Sequence, residues 1–155
     1  MRSGVRLGLD VGRVRIGVAR SDERGMLALP VATVARGDGD LAAIVEYARE
    51  YEVSDIVVGL PLSLTGADTA STTDAREFAV LVAQSVPAIP VRLVDERLST
   101  VSAHQALRSS GRTTRNSRSV VDQVAAVIIL QHALDAERSG GRPPGTPVAP
   151  RTQGS

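Results

Sequence analysis

Apolar residues alternate with small or charged ones from the start of the chain. Leu7 and Leu9 alternate with Gly8 and Asp10, and Ile16 and Val18 alternate with Gly17 and Ala19. That period of two predicts strands over 5–10 and 15–20, joined by a turn at 11–14. A third strand, 27–34, follows a turn at 21–25, so the first third of the chain reads as an antiparallel meander. The period then lengthens. Leu41, Ile44, Val45, Ala48 and Tyr51 predict a helix over 40–52, and the unbroken apolar run 53–60 predicts a strand buried on both faces. A second helix, 68–85, turns Ala75, Phe78, Ala79 and Val82 inward, and a fifth strand covers 91–94. Ser99 or Thr100 is placed to cap a short helix. After Gly111 a polar loop is expected, then a last helix over 120–137 with Val121, Val124, Ala125, Ile128 and Leu134 on its apolar side.

Three antiparallel strands followed by alternating helices and parallel strands make an α/β fold. The expectation is a mixed five-stranded sheet with helices on both faces, the ribonuclease H-like order of elements. At 155 residues the chain suits one domain, 1–137. The segment 138–155 is rich in Gly and Pro with few apolar groups, and is expected to stay disordered. With no cysteine and two histidines there is no thiolate chemistry, no disulfide and little for a zinc site. No apolar run nears the roughly 18 residues of a spanning helix, and no leader pattern opens the chain, which reads as soluble and cytoplasmic.

The net charge of +1 conceals an asymmetry. All 18 basic residues are arginine. Between Glu96 and Asp122 stand Arg97, Arg108, Arg112, Arg115 and Arg118 with no acid among them, so an anion is the natural partner of that window. Thr113, Thr114, Asn116 and Ser117 add hydroxyl and amide groups, although a solvated loop would look the same. Tyr47, Tyr51 and Phe78 fall at packing positions of helices, so base stacking has no platform and recognition should be directed at phosphates. His104 and His132 fit helix surfaces.

Three acids stand out. Asp10 closes the first strand and Glu96 follows the fifth, and in open α/β sheets ligands gather at the carboxyl ends of strands. Asp122 enters from the start of the last helix. Each has an ordinary alternative. Asp10 could accept turn amides, Glu96 could pair with Arg92 or Arg97, and Ser119 to Asp122 is close to a capping box. Gly8, Gly12 and Gly17 leave room for close approach by a neighbouring strand or a phosphate.

The blocks GLDVGRVRIGVARSD, VVGLP with Gly66 beyond it, VDERLST and VDQVAAVIILQ occur in order over about 6–134. Together they resemble the YqgF/RuvX family, whose members are described as pre-16S rRNA nucleases or Holliday-junction resolvase-like proteins. By that similarity the family's acids fall on Asp10, Glu96 and Asp122, and its first-block arginine on Arg15. The family often has a base directly before that arginine. Here Val14 stands there, and the base is Arg13.

The chemistry follows independently. Hydrolysing a phosphodiester requires a deprotonated water, charge neutralisation at phosphorus and a stabilised leaving oxygen, which two divalent ions can supply. Magnesium or manganese takes oxygen ligands, so Asp10 bridging two ions with Glu96 and Asp122 holding one each is the expected arrangement. Arg15, Arg97, Arg112, Arg115 and Arg118 would contact substrate phosphates, and the hairpin glycines would clear space for the nucleic-acid backbone. The resemblance favours pre-16S rRNA as substrate, with branched DNA as the alternative. A non-catalytic RNA-binding assembly factor is a rival reading. A sugar-kinase or actin-like ATPase is another, but such enzymes use two of these domains and a second phosphate loop. Monomer and homodimer both remain open.

Overall fold

In a computed structural model, residues 4–96, 115–143 and 145–148 are described. Strands β1 (Arg6–Val11), β2 (Arg15–Ser21) and β3 (Ala28–Ala35) form the antiparallel meander. Helix α1 (Asp40–Glu50), strand β4 (Asp55–Leu60), helix α2 (Ala70–Ser85) and strand β5 (Val91–Asp95) follow. β4 runs parallel to both β1 and β5. Every residue of β4 is buried, as its unbroken apolar run requires. The sheet order is β3-β2-β1-β4-β5-β6.

The sixth strand corrects the expected five. β6 (Thr146–Pro147) pairs antiparallel with β5, and the Val148 amide donates to the Val91 carbonyl. Composition argued against structure here because the segment buries little apolar surface. What it does instead is satisfy backbone groups along an otherwise open sheet edge. The long helix α3 (Arg115–Gly140) also runs three residues beyond the expected end at Glu137.

Strand alternation sorts the side chains into two layers. Leu7, Leu9, Val11, Ile16, Val18, Ile56 and Val58 pack with Ile44 and Ala48 of α1 and Phe78, Ala79 and Val82 of α2. The opposite side of the sheet is covered by α3, where Ala125, Ala126, Ile129, Leu130, Ala133 and Leu134 meet Ala19, Val57 and Val94. The expected face is met in part. Ala125 and Leu134 are in this core and Ile128 packs against it, whereas Val124 is exposed and Val121 only half-buried, because apolar residues are spread around the helix and periodicity alone cannot choose its inner side.

α3 lies unusually close to the strands, and glycines permit it. A Cβ at Gly8 would stand 2.7 Å from the Leu130 Cβ, and one at Gly17 would stand 2.0 Å from the Asp122 carbonyl oxygen. These two glycines therefore clear space for a helix, not for a nucleic-acid backbone. Gly12 serves the turn, its amide donating to the Arg15 carbonyl at 2.8 Å.

At the other side, α2 starts at a capping box, with Thr69 as the cap and Thr72 reciprocating. The Thr72 hydroxyl also donates to the Pro61 carbonyl, which fastens the helix start to the chain leaving β4.

Candidate active site

The carboxyl ends of β1 and β5 carry Asp10 and Glu96, with β4 between them. Leu9 is in register with Val58, so Asp10 stands level with Gly59, while Gly59 is paired with Val94, two residues before Glu96. A Cβ at Gly59 would stand 2.9 Å from Glu96 Oε1 and 3.1 Å from its Cγ. The bare backbone of Gly59 is thus the floor on which the Glu96 side chain rests.

Asp122 completes the layer from above. It does not open its helix as expected. α3 begins at Arg115, two turns earlier, so Asp122 is an interior helical residue and its capping role falls away. Its backbone lies against Gly17, which is paired with Asp10 across β1 and β2. Asp10, Glu96 and Asp122 are 3%, 4% and 1% exposed, and all three occupy the side of the sheet covered by α3. Buried carboxylates are costly unless a cation or donors compensate them.

One such charge is already present. Arg15 Nε donates to Asp122 Oδ2 at 2.6 Å. Arg15 was expected to face substrate phosphate, and sequence spacing gave no sign of this partner 107 residues away. Among the described residues no group of three His, Asp or Glu side chains is gathered into a metal-ligating cluster. The three acids share a layer, and Asp122 is turned to its arginine.

The hairpin after Asp10 is held by a residue that the sequence did not single out. Arg36 donates to the Gly12 carbonyl at 2.7 Å, to both oxygens of Asp74 at 2.7 and 3.0 Å, and to Asp40 at 3.2 Å. Its guanidinium also lies over the Phe78 ring. The paired fork holds the Asp74 carboxyl below its ordinary value, against a smaller opposing effect of burial, and raises Arg36 in turn. The turn carrying Arg13 and Arg15 is thereby tied to the starts of α1 and α2.

Arg97, Arg112 and His104 lie outside the described residues. Arg115 and Arg118, expected in a loop, lie in the opening turn of α3. His132 is half-buried on α3. No helix among the described residues is long and apolar enough to cross a membrane.

A meander leading into parallel strands, with one long helix across the acidic side, is a ribonuclease H-like fold. RuvC from T. thermophilus, solved with a Holliday junction substrate, superposes with a TM-score of 0.55 at 20% identity, covering 93% of this chain and 99% of that one. A second T. thermophilus RuvC structure gives 0.53 at 15% identity, covering 92% and 99%.

The chain belongs to the RuvX family, described as Holliday junction resolvase, whose model matches residues 4–136. Among its relatives, a protein of Leifsonia xyli subsp. xyli named "Putative pre-16S rRNA nuclease" is 64% identical, over 97% of this chain and 98% of that protein. Proteins of the same name from Nocardioides sp. and Streptomyces coelicolor are 57% and 50% identical, over 94% and 96% of this chain and 96% and 90% of theirs.

Proposed function

We propose that this protein is a divalent-metal-dependent nuclease that hydrolyses phosphodiester bonds, acting in the cytoplasm on the 5' end of pre-16S rRNA. The observation that carries the reading is the convergence of Asp10, Glu96 and Asp122, buried, from β1, the end of β5 and α3 onto one side of the sheet. The rRNA substrate follows from the name shared by relatives at 50–64% identity.

The donor set fits a hard cation. It consists of carboxylate oxygens, and the missing Cβ of Gly59 leaves Glu96 its place beside β4. Asp10, Glu96 and Asp122 would hold magnesium or manganese, either one ion or two. When bound, such ions activate the attacking water and offset charge at phosphorus.

The chain's own contribution is positional. The sheet fixes Asp10 and Glu96 on either side of β4, α3 supplies Asp122, and Arg36 pins the hairpin that carries Arg15. Arg15, Arg97, Arg112, Arg115 and Arg118 are the proposed phosphate contacts. With two tyrosines and one phenylalanine in the chain, recognition is of backbone charge and is weakened by salt.

Labelled precursor rRNA and a synthetic four-way DNA junction, each incubated with protein and Mg²⁺ or Mn²⁺, test the reading. The precursor should be cut, and Asp10→Asn, Glu96→Gln and Asp122→Asn should each slow cutting by on the order of 10²-fold or more while remaining folded. Cutting of the junction alone would make branched DNA the substrate, where symmetric resolution calls for two copies of the chain. Binding without cutting of either would make the protein an assembly factor.

A further inference from the structure

The Arg15–Asp122 pair is asymmetric. The Asp122 side chain is 1% exposed and that of Arg15 is 32% exposed. Arg15 and Gly17 are two residues apart on β2, so both are on the α3 side, and Gly17 is where the Asp122 backbone rests. Arg15 therefore reaches Asp122 from the outer end of the hairpin, inward, with its other side towards solvent. Its backbone is held by the Gly12 turn, which Arg36 secures, so any change of partner is a side-chain rotation.

A carboxylate as buried as Asp122 is costly unless a cation or hydrogen-bond donors compensate it. Arg15 is one cation that does so. On the reading above, a divalent cation takes the same carboxylate, and Arg15 then has no reason to stay. Its guanidinium is suited to a carboxylate or to a phosphate oxygen. We propose that Arg15 is the exchangeable counter-ion of Asp122: it competes with the divalent cation for that carboxylate, and once displaced it binds a phosphate of the nucleic acid. This rests on Asp122 being a cation ligand. It implies that cation and nucleic acid strengthen each other's binding by the same factor, since coupling is reciprocal.

Calorimetric titration of Mn²⁺ into the full chain, without nucleic acid, tests the competition. Arg15→Met should bind Mn²⁺ at least about fivefold more tightly than wild type. Arg13→Met removes the same charge from the same turn and should change the affinity by less than about twofold, which separates pairing from net charge. Equal affinities for Arg15→Met and Arg13→Met would overturn the proposal. Should Arg15→Met fail to fold, Arg15→Gln decides through binding of a labelled RNA hairpin, its integrity checked on a gel. Ca²⁺ takes the same oxygen ligands, and the gain in RNA affinity on adding it should be at least about fivefold larger in wild type than in Arg15→Gln. Equal gains would overturn the exchange. Asp122→Asn distinguishes the two layers of the argument. If it binds Mn²⁺ like wild type, the ligand role of Asp122 fails and the exchange with it. If it loses Mn²⁺ while Arg15→Met matches Arg13→Met, the exchange alone fails.

Discussion

Glu96 lies over the backbone of Gly59, its Oε1 2.9 Å from where a Cβ would stand, with Ile129 Cδ1 at 2.5 Å on the same spot. Both crowding atoms are the ends of side chains that can swing aside. Gly59→Ala should therefore cost only about 1–2 kcal/mol in urea unfolding, yet displace Glu96 and reduce cleavage by a far larger factor than the stability loss explains. A variant that keeps full activity would show that Glu96 need not stand where it does.

Gly17 faces something that cannot swing. A Cβ there would meet the Asp122 carbonyl at 2.0 Å, which is backbone in the middle of α3. Gly17→Ala must lift the helix from the sheet, and a loss of about 3 kcal/mol or more is expected together with loss of activity. Gly140, at the end of the same helix, has nothing within 4 Å. Gly140→Ala should be neutral or stabilising by about 0.5 kcal/mol, since alanine restricts the unfolded chain and favours the helix. Thermal unfolding of the two variants side by side provides the comparison.

Asp74 predicts a pH dependence with a definite sign. Arg36 holds its carboxyl below the ordinary 3.8 in the folded chain. Between the folded and unfolded values the unfolded chain binds more protons, so the contribution is whole above the unfolded value and disappears as pH falls through the folded one. Wild type should exceed Asp74→Asn in stability by a constant margin from about pH 5 to 8, and the margin should shrink below about pH 4. Urea unfolding at several pH values measures it, and an unchanged margin at the acid end would contradict the pairing.

Arg6 and Glu137 tie β1 to the last turn of α3 through a buried pair, Nη2 to Oε2 at 3.0 Å, with side chains 2% and 5% exposed. Glu137→Ala alone should cost about 3–5 kcal/mol, because it breaks a buried ion pair from one side. The double variant Arg6→Met with Glu137→Met should lose less than the sum of the two single variants, which a double-mutant cycle resolves.

The strands and their order were legible because period-two alternation and one unbroken apolar run leave little choice of direction. Asp10 could be placed at a strand end for the same reason, and Glu96 by its position after β5. What sequence could not show depends on contacts between distant segments. The spread of apolar residues around α3 blurred which side faces the sheet, and with it the fact that Asp122 lies over Gly17. The polar composition of 115–119 concealed helical structure, because a run of Arg, Asn and Ser suits a loop as well as an early helical turn. Gly59 did carry a signal, as an isolated glycine within an apolar strand marks close approach. The pairing of Arg15 with Asp122, and the grip of Arg36 on Gly12, left no local trace at all.

The division of the sheet into two layers gives β1 a reading frame of its own. Leu7, Leu9 and Val11 belong to the aliphatic packing against α1 and α2, where swaps among large aliphatics are tolerated at modest cost. Gly8 and Asp10 answer to α3 and to the acids beside it. Saturation mutagenesis of this strand should accordingly give a tolerance profile that rises and falls with every second residue. A substitution's harm would then be told by whether its number is odd or even before its chemistry is considered.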